Sequence, residues 1–569
     1  MKHLLATSLI ATSLLAQDFD RVRPKEPTDF QKSQGTYHVS EKDFPKAPHG
    51  EEVLLPELKG VIITDKERHF SVQEMHRAMG GAEAINIRVP GTMGHFNAML
   101  QNNFIARPLT RQGLYDLKQE VIAYYRRWGR PIVTVEIPEQ NITHGVIEVI
   151  AVEGKLGKIT VEGNHYFSEE TLVKQIRLQE NGAIDTNLLV TDLSWMNRNP
   201  FRQVDVIFEP GEIAGTTNVR LLTADRRPYR FYAGVDNNGY DATNTTRLFL
   251  GANWGNAFGL DHLFSFQFTA APNLDRFWAV TGQYTIPLKW RDIWTFYGGY
   301  SHVHANIEEK GVDNSGYSAQ ASTRYTFLLP PRLNYLHNFI MGLDYKRTDN
   351  NIEYGGKTVY LHSVNLTQVM FGYDGGYTNR GLSTSFNLEL FWSPGPWLAE
   401  QSDTDYRDVR YEAKSSYCYG RLTLAPLFRL PHDYTFATIL RAQVANQNLL
   451  PSEQAGLGGY ETVRGYKERK VNVDNAFLAS AELRSRPYTF IGKKAFQDAL
   501  QWLLFLDYAI GRDVRTEKHT PKTHYLLSTG PGLRYEVGPY LTFKSDFGVQ
   551  LKKLDSRGFR FHFSLVGSY

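Results

Sequence analysis

Cysteine is almost missing from this sequence. Its 569 residues contain a single cysteine, Cys418, so no disulfide can form within the chain. Reactive thiols usually have basic residues beside them, and no basic residue lies within two positions of Cys418. We therefore interpret Cys418 as an ordinary strand residue.

Long apolar runs are missing as well. Beyond the N-terminus no uninterrupted apolar stretch approaches the length of about 18 residues that marks a transmembrane helix. A transmembrane β-barrel leaves no such run, because its strands alternate apolar and polar residues. The net charge is only +3 and no basic tract stands out, which argues against a nucleic-acid partner.

Recognisable catalytic motifs are also lacking. No serine or cysteine lies in a nucleophile motif. Residues 355–358, Gly-Gly-Lys-Thr, resemble the end of a phosphate-binding loop, but Asn351 stands where the first glycine is required. His302 and His304 could share a metal, yet no third ligand is evident. The sequence therefore predicts a protein that is not an enzyme and has no catalytic residue, cofactor or metal.

Aromatic residues, by contrast, are abundant, with 33 Phe, 32 Tyr and 9 Trp, as membrane barrels need at both interfaces. Residues 1–16 indicate a secretory signal peptide, because Lys2 precedes a largely apolar run that ends at the small residue Ala16. Residues 17–52 are polar, contain four prolines and show no apolar periodicity, which predicts a linker.

Two units of α/β character follow, and we place them at residues 53–153 and 154–225. Thr110 is expected to cap a helix in the first unit, and Ser168 a helix in the second, because apolar residues follow each at helical spacing. Residues 64–105 form an additional segment with no predicted role. The expected strands include 131–135, 146–152, 204–208 and 219–222.

Residues 226–569 lose the helical period and consist of short alternating runs separated by turn residues. Phe264, Phe266 and Phe268 alternate with polar residues, for example. We count about 16 candidate strands, an even number as closed bacterial barrels normally have. The predicted fold is therefore two α+β domains followed by a 16-stranded antiparallel transmembrane β-barrel.

One loop, residues 458–466, places a single arginine, Arg464, among glycines. Arginine offers a planar fork of donors that suits a carboxylate, and Gly465 permits backbone angles barred to other residues. In residues 500–511 the period of two puts large apolar side chains on one face and Asp507 on the other. If the apolar face meets lipid, Asp507 points into the lumen, where a paired charge is tolerated. Asp507 is therefore a candidate partner for Arg464, and the alternative interpretation of the loop is a hairpin turn with a solvated arginine.

The tetrad Val463-Arg464-Gly465-Tyr466, followed by Phe505 and Asp507, resembles the two-partner secretion transporters, the haemolysin secretion/activation family of outer-membrane proteins. In that family the tetrad caps a long loop folded into the pore, and its arginine pairs with the aspartate of a Phe-x-Asp-x-Gly motif on the barrel wall. Here Ala509 replaces the glycine. Residues 53–153 and 154–225 resemble the two polypeptide-transport-associated (POTRA) domains of the same family.

This resemblance implies an outer-membrane protein of a Gram-negative-type bacterium with its POTRA domains in the periplasm. An unfolded partner exoprotein would be recognised there, then secreted, and thereby activated, through the barrel pore. Outer-membrane lipid and the barrel-assembly machinery are further implied partners, and Tyr569 resembles the terminal aromatic residue that this machinery reads. Many relatives begin with an amphipathic plug helix, and the sequence here indicates none.

Two alternatives stay open, a barrel-assembly insertase and a passive porin or receptor. Tandem POTRA-like units favour a transporter over a porin, and a pair of them favours the secretion branch over the insertases. The expected recognition mechanism is strand addition, in which an edge strand of a POTRA domain pairs with an extended segment of the partner.

Overall fold

The computed structural model describes residues 19–27, 37–38, 50–213, 215–305, 312–330, 332, 334–354, 357–491, 497–518 and 520–569. The predicted signal peptide, residues 1–16, and most of the predicted linker, residues 17–52, lie outside the described residues. The chain forms two compact units. One spans Asp29–Arg227, and the other spans Pro228–Tyr569 together with the described residues 19–27.

The first unit contains ten strands and five helices among its described residues. Its strands are β1 (Tyr37–His38), β2 (Val53–Leu55), β3 (Gly60–Thr64), β4 (Ala82–Ile85), β5 (Leu109–Thr110), β6 (Val133–Glu136), β7 (Val146–Glu153), β8 (Lys155–Glu162), β9 (Arg202–Pro210) and β10 (Thr216–Asp225). Its helices are α1 (Val72–Ala78), α2 (Met93–Asn103), α3 (Arg111–Arg127), α4 (Glu169–Val173) and α5 (Thr186–Met196).

The first α/β domain has a four-stranded sheet in the order β4-β3-β7-β6. The long helix α3 packs its apolar side on this sheet, with Leu117, Val121 and Tyr125 fully buried. The expected N-cap is confirmed, since the Thr110 side chain accepts a hydrogen bond from the main chain of Gly113. Residues 64–105 supply α1, α2 and β4, and β4 runs parallel to β3 at the edge of the sheet.

The second α/β domain has a sheet in the order β1-β9-β10-β8. Ser168 caps α4 as expected, by accepting from the main chain of Thr171. The two edges of this sheet are β1, a strand of two residues that pairs in parallel with β9, and β8, a strand of eight residues.

The second unit is a closed antiparallel barrel of 16 strands, as predicted. The sequential order is β11 (Tyr229–Asp236), β12 (Arg247–Ala257), β13 (His262–Ala270), β14 (Phe277–Pro287), β15 (Ile293–Ala305), β16 (Val312–Leu328), β17 (Tyr335–Tyr354), β18 (Lys357–Thr378), β19 (Leu382–Pro394), β20 (Ser416–Arg429), β21 (Thr435–Ala445), a separate hairpin of β22 (Ala455–Leu457) and β23 (Val471–Val473), then β24 (Asn475–Arg484), β25 (Asp498–Arg512), β26 (Thr523–Val537), β27 (Leu541–Gln550) and β28 (Phe559–Ser568). The barrel closes because β11 pairs with β28.

Alternation along the strands separates an apolar outer face from a polar inner face. On β25, Trp502, Leu504 and Leu506 are at least half exposed on the outside, whereas Phe505 and Asp507 are buried on the inside. This is the pattern of a membrane barrel, which needs an apolar band towards lipid. Among the described residues, no helix is both long and apolar enough to cross a membrane.

Two connections fold inward from the barrel end opposite to the entry of the chain at Tyr229. We call residues 446–474, between β21 and β24, the lumenal loop, and residues 395–415, between β19 and β20, the helical loop. The helical loop carries α6 (Asp403–Val409), whose Tyr406 and Val409 are buried against inward-facing side chains of the wall.

Candidate functional site

The lumenal loop carries its arginine to the inner wall of β25. The Nε and Nη2 atoms of Arg464 donate to the two carboxylate oxygens of Asp507, each at 2.8 Å. The main-chain N–H of Arg464 also donates to Asp507, at 3.1 Å. Arg464 is 4% exposed and Asp507 is fully buried. The structure therefore brings the two residues together in a bidentate, charge-assisted pair.

Phe505, on the same strand, lies beneath the guanidinium group. The Cζ atom of Arg464 is 3.6 Å from the centre of the Phe505 ring. The ring fixes the plane of the guanidinium and shields its pair with Asp507 from water, so this is a cation–π contact in a dry setting.

Three polar groups around Arg464 were not predicted from the sequence. Its Nη1 donates to Glu482 at 2.6 Å, its Nη2 donates to Ser480 at 3.2 Å, and Asp546 lies at 3.6 Å. Ser480 and Glu482 project inward from β24, and Asp546 from β27. An inward-facing charge on an alternating strand is the sequence signal for Glu482 and Asp546, whereas the uncharged Ser480 leaves none.

The negative charge around Arg464 is balanced by two further arginines. Arg484 donates twice to Glu482, at 2.8 and 2.6 Å. Arg534 donates to both oxygens of Asp546, at 3.0 and 2.9 Å. With Arg464 and Asp507, the cluster contains three arginines and three carboxylates. Such a balance is what permits charges to be buried, because an unpaired buried charge is very costly.

Gly465 makes room for a close approach between the lumenal loop and β27. Its φ is +90°, and a Cβ at this position would lie 2.8 Å from the main chain of Gly548. The N–H of Gly465 donates to His562 at 3.1 Å, and its carbonyl accepts from Gln550 at 2.7 Å. Only a glycine pair allows these main-chain contacts with the wall.

Val463 and Tyr466 provide the apolar part of the contact. Both are fully buried, in a cluster that also contains Ala509 of β25 and Leu526 of β26. The Tyr466 hydroxyl donates to the carbonyls of Leu527 and Lys552, at 3.0 and 2.5 Å. Ala509 thus fills space beside the tetrad, at the position where the family motif has glycine.

The lumenal loop is also fastened at Glu453, far from the tetrad. This fully buried carboxylate pairs with Lys346 of β17 at 2.7 Å and accepts from Tyr419 of β20 and Gln368 of β18, at 2.6 and 3.1 Å. The loop is therefore bound to both sides of the wall. Within the described residues no group of three or more potential metal ligands occurs.

A family model matches the chain over most of the barrel and over the lumenal loop. The model is described as haemolysin secretion/activation protein ShlB/FhaC/HecB, and it matches residues 215–535, more than half of the chain. All four tetrad residues and the wall residues Phe505 and Asp507 lie inside the matched region.

Two relatives match over most of their length. The chain is 22% identical over 466 residues to the heme/hemopexin transporter protein HuxB of Haemophilus influenzae, which covers 78% of each protein. It is 23% identical over 426 residues to the outer membrane transporter CdiB of Dickeya dadantii, which covers 72% of this chain and 70% of that protein.

Solved structures share the fold. CdiB from Escherichia coli superposes with a TM-score of 0.73 at 16% identity, over 92% of this chain and 93% of that chain. CdiB from Acinetobacter baumannii superposes with a TM-score of 0.65 at 15% identity, over 100% of this chain and 98% of that chain. At such identities the likeness establishes the architecture of two α/β domains and a 16-stranded barrel.

Proposed function

The chain belongs to the haemolysin secretion/activation protein family, and on that premise we propose that it carries an unfolded partner exoprotein across the outer membrane to the cell surface. The α/β domains, as POTRA domains in the periplasm, capture the partner, and the barrel supplies the path. The observation that carries the proposal is a closed barrel whose lumenal loop is locked to the wall by Arg464, in a chain that also has two α/β domains.

Capture of the partner uses strand addition at β8. This strand is an edge of its sheet. Leu156 already bonds to Asn181 and Gly182, which leaves the six residues 157–162, compared with four residues at each edge of the first domain. Main-chain hydrogen bonds to an extended segment give affinity with little demand on sequence, which suits an unfolded client.

The segments that fill the barrel argue against a function as a passive diffusion pore. The lumenal loop, helix α6 and residues 19–27 all contact the inner wall. A simple porin has no use for so many inward segments held by specific contacts. A gated translocator needs an ordered inner surface, and the pair of Arg464 with Asp507 supplies one part of it.

Secretion of a candidate partner from cells with and without this chain tests the proposal, alongside single-channel conductance of the purified protein. Partner at the cell surface only when the chain is present is the expected result. Steady conductance with no effect on the partner would favour a porin. A fall in the level of other outer-membrane barrels after depletion of the chain would favour an insertase.

A further inference from the structure

Residues 19–27 lie against the inner wall of the barrel, where they form one 3-10 turn, Phe19–Val22, followed by five residues without helix or strand. The Tyr297 hydroxyl donates to the carbonyl of Phe19 at 2.8 Å. The Thr281 hydroxyl donates to the carbonyl of Val22 at 2.7 Å. These wall side chains therefore hold the main chain of the segment.

The same kind of contact continues along the segment. The side-chain amide of Gln267 donates to the carbonyl of Val22 at 3.3 Å, and that of Asn253 to the carbonyl of Lys25 at 3.2 Å. Arg230 donates to the carbonyls of Lys25 and Glu26, at 3.4 and 3.2 Å. We call Arg230, Asn253, Gln267, Thr281 and Tyr297 the donor row.

The donor row crosses five consecutive strands, β11 to β15, with one donor from each. Arg230 stands opposite Asn253 in the strand pairing, and Gln267 opposite Thr281. The accepting carbonyls of residues 19, 22 and 25 are three residues apart. A chain with three residues per turn, whether 3-10 or polyproline II, presents such carbonyls on one face.

The wall itself orients two of the donors. With residues 19–27 in place, Asn253, Gln267 and Thr281 are each no more than 2% exposed. The Tyr232 hydroxyl donates to the amide oxygen of Gln267 at 2.9 Å, and Arg230 donates to that of Asn253 at 3.1 Å. Each amide also donates to the wall, Asn253 to Ser265 at 2.9 Å and Gln267 to Thr269 at 3.0 Å. The oxygen and one N–H of each amide are thus engaged by the wall, and the second N–H is left for the main chain in the lumen.

Several side-chain contacts, by contrast, are specific to residues 19–27, among them Arg23 over the ring of Tyr297 and Lys25 over that of Phe249. Phe19 packs over Gly299, where a Cβ would lie 2.5 Å from its ring. Arg21 pairs with Glu468 of the lumenal loop at 2.9 Å. These side-chain anchors set which segment is bound and in which register, whereas every hydrogen bond that the donor row gives to the segment goes to a main-chain carbonyl, a group that every residue has.

We propose that the donor row is a binding surface for polypeptide main chain, occupied by residues 19–27 at rest and by an extended segment of the secreted partner once residues 19–27 have left. This inference rests on the proposed function and adds to it the route that the partner takes along the barrel wall. Carbonyl groups are common to all sequences, so a row of fixed donors accepts a client of any sequence. Loss of the side-chain anchors, not of the donor row, is what frees the surface.

The first test is crosslinking in secreting cells, with residues 19–27 replaced by a Gly-Ser segment of the same length. A photo-crosslinking amino acid replaces Thr269, beside Gln267 on the inner face of β13. The control position is Thr423 on β20, across the barrel. The partner is expected to crosslink at position 269 and not at 423. Secretion without any crosslink at 269 would overturn the donor row and leave the proposed function standing.

The second test removes one donor. In the same background Thr281→Val, which keeps the shape and removes the hydroxyl, is expected to lower secretion about fivefold, the effect of one lost hydrogen bond. Thr281→Ser restores secretion, because it restores the donor. Thr423→Val is the matched control. Equal secretion by Thr281→Val and Thr423→Val would contradict the proposal.

The third test does not depend on secretion and uses the purified full chain with the Gly-Ser replacement. Two peptides are added, one with the sequence of residues 19–27 and one with that sequence scrambled. The peptide in native order binds more tightly through its Phe and Arg anchors. Thr281→Val is nevertheless expected to weaken the affinity of both peptides by the same factor. If Thr281→Val weakens only the peptide in native order, the donor row is not a main-chain surface. Should the wild-type chain secrete no partner, the proposed function fails while this result still decides the donor row.

Discussion

The guanidinium of Arg464 and the carboxylate of Asp507 meet in a two-bond fork, with both N–O distances at 2.8 Å and both groups almost fully buried. We expect Arg464→Ala to abolish or strongly reduce secretion of the partner at normal barrel levels, because a buried Asp507 without its cation costs about 3–5 kcal/mol. Arg464→Lys should give an intermediate loss, since an ammonium cannot bind both oxygens and also reach Glu482.

The matched control is Arg441→Ala, because Arg441 makes a single hydrogen bond, to the carbonyl of Glu461 in the same loop, and is only partly buried. Secreted partner is measured by immunoblot beside the amount of folded barrel. Normal secretion by both Arg464→Ala and Asp507→Ala would show that the pair has no role in transport.

The contact between Gly465 and Gly548 gives a second prediction. A Cβ on residue 548 would lie 2.3 Å from the main-chain nitrogen of Gly465. Gly548→Ala should therefore push the tetrad away from β27 at a cost of about 1–3 kcal/mol, and expose the lumenal loop to added protease. Gly567→Ala on β28 is the control, because a Cβ there meets nothing closer than 4.0 Å. Equal protease resistance of the two variants would contradict the prediction.

Much of this site could be predicted from the sequence, and its remainder shows where sequence reasoning stops. A glycine-flanked arginine and a strand whose period of two turned one aspartate inward made Arg464 and Asp507 candidates, and the resemblance to the two-partner secretion transporters implied that they pair. Glu482 did not follow, because its place beside Phe505 depends on the register of β24 against β25. Register is set by the closed barrel, not by either strand alone.

Residues 19–27 illustrate a different limit. Their polarity, prolines and lack of periodicity predicted part of a linker, yet they lie along the wall of the barrel. Many of their contacts are made by main-chain carbonyls, which are identical in every sequence and so leave no pattern in it. The additional segment 64–105 had no predicted role. The strand that it adds to the sheet of the first domain, β4, is only four residues long, which is too short to show a clear alternation in the sequence.

The edge strand β8 gives a prediction about the periplasmic domains. A photo-crosslinking amino acid at the exposed Thr160 of β8 should capture the partner in cells that secrete it. The same amino acid at the exposed Thr134 of β6, an edge strand of the first domain, should capture much less, because β6 offers only four residues for pairing. Stronger crosslinking at Thr134 would move the docking edge to the first domain.

Glu148 makes the stability of the first α/β domain depend on pH. Burial raises the pKa of this carboxyl, and the main-chain N–H of Arg68 opposes that rise only in part. Because the folded-state pKa lies above the unfolded value, the contribution of Glu148 to stability is present below the unfolded pKa and is lost as the pH rises through the folded pKa. Glu148→Gln should therefore stabilise the domain at pH 7 and flatten its pH dependence.

The helical signal in circular dichroism of the full chain measures this effect, since five of the six α-helices among the described residues lie in the α/β unit. The thermal midpoint of that signal is compared between acidic and neutral pH. Glu136→Gln, at an exposed site on β6, is the control. An unchanged slope of the midpoint against pH in Glu148→Gln would exclude Glu148 as the cause.

Arg410, at the end of α6, connects the helical loop to the lumenal loop. We expect this connection to act as a gate at the end of the barrel opposite Tyr229. Its guanidinium binds both oxygens of the fully buried Asp474 and donates to Asp513 at 2.8 Å and to the carbonyl of Leu449 at 2.5 Å. Leu449 and Asp474 lie near the two ends of the lumenal loop. One side chain thus holds α6 over the lumen through hydrogen bonds to both ends of the lumenal loop.

We expect Arg410→Ala to loosen α6 and to raise the single-channel conductance of the purified protein, because Asp474 loses its cation. The helix then keeps the apolar contacts of Tyr406 and Val409 and the hydrogen bond from the Tyr406 hydroxyl to the carbonyl of Asn365, at 3.1 Å. Arg407→Ala is a matched control on the same helix, since Arg407 is half exposed and makes only a 3.7 Å pair with Asp403. Arg410→Lys should conduct at an intermediate level, because it keeps the charge but cannot span two loops. Equal conductance of Arg410→Ala and Arg407→Ala would mean that α6 is held by its apolar packing and that Arg410 does not act as a latch.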